Sequence, residues 1–133
     1  MTQALVALDT NVLIRFLLND DAAQAARARR LVAAQPVFLS PTVLLEAEWV
    51  LRSGYGCTAV EIASYLRAFL GLPQVQVADA EAVSEAMSSY EAGLDFADAL
   101  HLALSGSARE LATFDRVFIK KANRLQGRKL RLP

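Results

Sequence analysis

The chain has 133 residues, 54% of them hydrophobic, with 14 basic and 14 acidic side chains and a formal net charge of zero; its mean hydropathy is +0.28. That length, within the ~100–200 residues usual for one domain, predicts a single domain over 1–133 with enough apolar sequence for a core. One cysteine, Cys57, and one histidine, His101, exclude an internal disulfide and a Cys/His zinc centre and suit a reducing cytoplasm.

In chain order, Ala4–Leu8 reads as a strand that stops at Asp9, and Asn11–Leu18 as a helix. Asp9, Asn11 and Arg15 interrupt this apolar opening. It therefore falls short of the ~18 uncharged residues of a membrane span, and it lacks the basic start of a signal peptide. A carboxylate in such surroundings is costly to bury unless paired, hydrogen-bonded or bound to metal. Asp20 or Asp21 caps a second helix through Ala34, and Val37–Leu39 is a short strand. Ser40-Pro41 then starts a helix to about Ser53, with serine as N-cap and proline at the first helical position. Gly54 and Gly56 interrupt it, and Thr58 caps a helix through Leu70. Gln74–Val77 is a third strand, and Asp79 caps a helix to Glu91. Gly93 separates that from a helix running from Asp95 to about Arg109; Leu111–Phe114 and Lys129–Leu132 complete the strands.

Strands alternating with helices predict an α/β chain, a three-layer α/β/α sandwich around a central, mainly parallel five-stranded sheet. Such sheets bind ligands at the carboxyl ends of their strands. Asp9 ends the first strand and Asp115 the fourth, so parallel strands would put both on one rim. Beyond Asp115 there are seven bases (Arg116, Lys120, Lys121, Arg124, Arg128, Lys129 and Arg131) and no acid, while the remainder holds all 14 acids against the other seven bases. The basic end reads either as a solubilising tail or as a contact surface for phosphates or an acidic partner.

The acids differ in their surroundings. In PTVLLEAEWVLR, Glu48 falls one turn before Arg52 and reads as a solvated helix charge. Glu46 falls between Trp49, Val43 and Val50, at the edge of a packed face on which Trp49 is a core residue. In LDFADALHLAL, Asp95 suits a helix cap; Asp98 suits either the positive end of the helix or a metal. Asp115 in LATFDR reads as a turn aspartate or as a strand-end ligand, His101 as a surface or core residue. Four carboxylates, Asp9, Glu46, Asp98 and Asp115, would repel one another without a cation. An all-oxygen set without histidine or thiolate suits Mg2+ or Mn2+, which activates water and neutralises a phosphoryl centre. The reaction class this implies is phosphoester hydrolysis.

ALDTNVLIRFLLNDD, LSPTVLLEAEWVLR, GLDFADALHLALS and LATFDRVF resemble, in order and spacing, the motifs of PIN-domain proteins, and more narrowly those of the VapC toxins of bacterial toxin–antitoxin pairs. The resemblance implies a Mg2+- or Mn2+-dependent endoribonuclease in the cytoplasm. By motif it makes Asp9 and Asp98 the principal metal ligands, with Glu46 and Asp115 completing the acidic pocket. Asn11 and Thr113 fall where the family places polar support, and Asp95 is a further acid. A homodimer and a VapB-type antitoxin covering the cleft are implied as partners, with RNA as substrate. Two other readings stand beside this one. A haloacid-dehalogenase-like phosphatase also starts with a strand ending in aspartate, but wants a second aspartate where this chain has Asn11. A PIN-like binding module without catalysis is the non-enzymatic alternative.

Overall fold

A computed structural model describes residues 4–125 and 129–133. Arg128, one of the seven bases of the C-terminal stretch, lies outside the described residues. Among the described residues five strands and seven α-helices interleave along the chain, and every strand pair is parallel. The chain is thus α/β, as its pattern predicts. It divides into two compact units, Met1–Ala78 and Asp79–Pro133.

The first unit holds β1 (Val6–Ala7), α1 (Thr10–Leu17), α2 (Ala22–Ala34), β2 (Val37–Leu39), α3 (Pro41–Trp49), α4 (Ala59–Leu70) and β3 (Val75–Val77). Its sheet has the order β1-β2-β3, with Val6 opposite Val37 and Val37 opposite Val75. Central β2 is buried at Val37 and Leu39, because a strand paired on both sides has no edge to show to water. Leu8 N–H donates to the Phe38 carbonyl at 3.0 Å, so pairing persists to the residue before Asp9. Helix starts are set by local chemistry. The Asp21 side chain accepts from Gln24 N–H, and Ser40 from Thr42 N–H with Pro41 in the first turn. Thr58 and Glu61 form a reciprocal capping box. Leu13, Leu44, Leu51, Ile62, Leu66 and Phe69 are essentially inaccessible to solvent, and Phe16 meets Phe69 edge to face at 4.9 Å. Full burial of each such side chain contributes ~1.5–3 kcal/mol relative to exposure.

Two expectations for α3 reverse. Its buried stripe is Leu44, Ala47, Glu48 and Leu51, the i, i+3, i+4, i+7 spacing of a core-facing helix. Glu48 is therefore 3% exposed rather than solvated, its carboxylate held by Arg52 Nε at 2.9 Å. Trp49, one residue on, is turned away from that stripe and is 58% exposed rather than core. The helix also ends in a π-turn, Val50–Gly54.

The second unit holds α5 (Ala80–Glu91), α6 (Phe96–Leu104), β4 (Glu110–Ala112), α7 (Arg116–Leu125) and β5 (Lys129–Arg131). Here α5 packs on α6, with Tyr90 edge to face on Phe96 at 4.9 Å. The turn between them needs Gly93, whose φ of +108° lies in the region that L side chains avoid. Asp79 does not cap α5: its φ is 55° and its side chain makes no capping hydrogen bond. Helix α6 ends at Leu104 rather than near Arg109, where Ser105 turns its hydroxyl back onto the His101 carbonyl at 2.6 Å. β4 and β5 form a two-stranded ladder. The hydrogen-bonded ladders are thus one of three strands and one of two, where the alternation predicts a sheet of five.

Candidate functional site

In the first unit, Asp9 stands at the N-cap of α1, just past the carboxyl end of β1. Its backbone carbonyl accepts from Val12 and Leu13 N–H, but its carboxylate makes no capping bond. The side chain is exposed and stays free for another positive partner. Next along, Thr10 is 4% exposed and donates its hydroxyl to Glu46 Oε1. That bond ties the first turn of α1 to the middle of α3. Glu46 is exposed, so one of its oxygens is positioned by the buried hydroxyl while the carboxylate still meets solvent. Asn11 is exposed on the same turn of α1. It lines a cavity of about 480 Å³ together with Arg15, Gln24 and Arg27.

Thr10 has no role in the sequence reading beyond its place beside Asp9. The signal for it is periodicity: the buried residues of α1 are Thr10, Leu13 and Ile14, the i, i+3, i+4 pattern. A hydroxyl at the head of an apolar stripe has to find an acceptor.

The second unit gathers three acids. Asp95 caps α6, its Oδ2 accepting from Asp98 N–H at 3.2 Å. Asp98 lies in the first turn of that helix, and its carboxyl is pushed above the usual aspartate range. Partial burial is the larger cause; the negative charges of Asp95 and Asp115 add to it and His101 opposes it. Asp115 caps α7, its Oδ1 accepting from Phe118 N–H at 3.0 Å. Thr113 supports it by accepting from Asp115 N–H at 3.1 Å, so the polar support the resemblance places there is a turn that presents the acid. His101 is exposed on the helix surface.

The acids therefore divide by what their oxygens do. Asp95 and Asp115 each spend one on a helix N-terminus, whereas Asp9 and Asp98 accept no side-chain hydrogen bond among the described residues. Hard carboxylate oxygens are the donors that Mg2+ and Mn2+ prefer. Partial burial first, and then the Asp95 and Asp115 charges, disfavour the ionised Asp98 carboxylate, which a cation at its oxygens would favour. The donor chemistry fits such an ion, although among the described residues no three acidic, histidine or cysteine side chains stand close enough to hold one as they are.

The basic end is only partly free. On β5, Lys129 and Arg131 lie 3.7 and 3.6 Å from the Glu110 carboxylate of β4, and Lys121 donates to the Gly93 carbonyl. Arg116, Lys120 and Arg124 are exposed on α7. Among the described residues no helix is long and apolar enough to cross a membrane.

The family model of the PIN domain matches residues 6–124, from β1 into α7. Among curated proteins none is similar enough to the chain to count as a match.

Proposed function

The chain belongs to the PIN domain family, generally a metal-dependent nuclease fold, and from that premise we propose that it is an endoribonuclease acting as the toxin of a type II toxin–antitoxin pair. The observation that carries this reading is the split among the acids. Of the four aspartates Asp9, Asp95, Asp98 and Asp115, the two expected as principal metal ligands, Asp9 and Asp98, are those whose carboxylates are not spent on a helix N-terminus.

When bound, Mg2+ or Mn2+ supplies neutralising charge for a phosphoryl group and a water of lowered pKa. Asp9 and Asp98 would hold the cation. Glu46, with Oε1 fixed by the buried Thr10 hydroxyl, offers its other oxygen to orient the attacking water and take its proton. Asp115, with Oδ1 fixed by Phe118 N–H, adds a fourth acid, and Asp95 maintains the turn that carries Asp98. Asn11, two residues past Asp9, lines the cavity between α1 and α2. The water oxygen bonds to phosphorus as the bond from phosphorus to the 3′ oxygen breaks, and the departing 3′ oxygen takes a proton from solvent, leaving a 3′-hydroxyl and a 5′-phosphate. Membership of the family sets aside the dehalogenase-like phosphatase. The toxin role would bring with it a cytoplasmic location, a homodimer and a VapB-type antitoxin that occupies the cleft and suppresses activity.

The test is direct. Purified chain is incubated with total RNA in Mg2+, Mn2+ or chelator, and the new ends are mapped. Cleavage that needs the cation, yields 5′-phosphates and disappears in Asp9→Asn and Asp98→Asn supports the proposal. Unaltered RNA under all conditions favours the non-catalytic binding module instead.

A further inference from the structure

Between α1 and α2 the first unit opens the cavity of about 480 Å³ that Asn11, Arg15, Gln24 and Arg27 line together with the apolar Val12 and Leu31. We infer that this cavity is a subsite for one nucleotide of single-stranded RNA, with Arg27 as the residue that binds its phosphate or base. The inference rests on the endoribonuclease reading and deepens it by naming the substrate form and the side chains that select it.

The two arginines are not equivalent. Arg15 is committed: its Nη1 donates to both oxygens of Asp20 at 3.0 Å and to the Tyr55 hydroxyl at 3.2 Å, and its Nε donates to Gln24 Oε1 at 2.8 Å. The Tyr55 hydroxyl in turn donates to Asp20 at 2.7 Å. That network ties Arg15, Gln24, Asp20 and Tyr55 together at the wall of the cavity and offsets the Arg15 charge. Arg27 has neither ion pair nor hydrogen bond among the described residues. Arg27 is exposed, so its guanidinium is open to an anionic partner at the cavity.

The rest of the lining fits a nucleotide better than an acidic peptide. Asn11 and Gln24 supply amide donors and acceptors of the kind that read base edges, while Val12, Leu31 and the plane of a guanidinium offer surfaces on which a base stacks. The volume lies within the ~300–1,000 Å³ of small-ligand sites. Helix α2 carries no acid, and Arg30, three residues beyond Arg27, is exposed on the neighbouring side of the helix, where a phosphate backbone could follow; Arg29 points elsewhere, donating to the Phe16 carbonyl at 3.3 Å.

The experiment is fluorescence-anisotropy binding, in chelator so that nothing is cut, of a labelled 12-nucleotide single-stranded RNA pool of random sequence to the whole chain. A 12-residue polyglutamate peptide serves as a second probe. Arg27→Glu is expected to weaken RNA binding about 10-fold or more. Arg27→Gln is expected to lower the slope of log K against log salt by about 0.7, the share of one phosphate contact on a single strand, and Arg27→Lys to restore that slope. Arg109→Glu, the same charge change at an exposed turn of the second unit, controls for net charge, and melting curves confirm that each variant is folded. Undiminished RNA binding in Arg27→Glu overturns the inference while leaving the nuclease reading intact if the parent still cuts RNA. Equal losses in Arg27→Glu and Arg109→Glu overturn it as a general charge effect. Lost polyglutamate binding with RNA binding unchanged overturns it in favour of a peptide pocket. A parent chain that neither binds nor cuts RNA removes this inference and the reading it rests on together.

Discussion

Replacing Thr10 by valine removes one hydroxyl and changes almost nothing else in shape. Thr10 is 4% exposed and donates to Glu46 Oε1. A hydrogen bond to a charged acceptor contributes ~1.5–3 kcal/mol. Two features of the site reduce that figure: Glu46 is exposed and regains water when its donor is lost, and valine leaves no unsatisfied polar atom behind. The net cost should be ~1 kcal/mol, a fall in Tm of ~3–5 °C for a chain of this length. The informative assay is a double-mutant cycle of Thr10→Val with Glu46→Ala, followed by thermal melting and by RNA cleavage. If the bond is what joins the two residues, stabilities will be non-additive by ~1 kcal/mol, against ~0.5 kcal/mol or less for independent sites. In the cleavage assay Thr10→Val should lower kcat about 10-fold, ~1.4 kcal/mol of barrier, with KM little changed, because Glu46 keeps its charge and loses its orientation. Additive stabilities together with unchanged kcat would refute the assignment of Thr10 as the positioning residue for Glu46.

Asp98→Asn should melt above the parent at neutral pH in chelator. A carboxyl whose folded pKa is raised destabilises the fold when ionised, fully so above the folded pKa and not at all below the unfolded one, so the gain should shrink as pH falls through the carboxyl range. Added Mn2+ should raise the Tm of the parent and not of Asp98→Asn, which differential scanning fluorimetry reads directly. Arg52→Ala should cost ~1–3 kcal/mol by chemical denaturation, below the ~3–5 kcal/mol of a fully buried pair because Arg52 is half exposed; Glu48→Gln in the same background should recover part of it. Thr58→Ala breaks the α4 capping box and should cost ~1 kcal/mol in the same measurement.

Local chemistry was the legible layer of the fold. Ser40-Pro41, Thr58 with Glu61, and Asp21 all start helices where the sequence places them, because a cap needs only neighbours a few residues away. The strand β2 was equally plain. Helix α7 was not, since it is mostly basic and polar and its buried residues are only Phe118 and Ala122, one turn apart. What recruits it is Asp115, whose capping role appears only once the helix is there. For Glu46 and Glu48, the proximity of Arg52 suggested that Glu48 was solvated, while the Leu44, Ala47, Leu51 stripe shows that it is not. Both signals lie in the sequence; burial of the stripe outweighs a pair that forms equally well at its edge. Asp9, Asp98 and Asp115 were legible as acids at element ends. Asp95 was legible as a helix cap from its place before Phe96; that Asp115 caps a helix while the Asp9 and Asp98 carboxylates do not depends on side-chain direction, which no spacing rule supplies.

The most direct measurement is calorimetric titration of Mn2+ into the parent, Asp9→Asn and Asp98→Asn, each then assayed on total RNA with and without the ion. Saturable Mn2+ binding and cation-dependent cleavage by the parent, both lost in each variant, is the expected result. Either variant binding the ion like the parent and cutting RNA at the parental rate would contradict the account at its root.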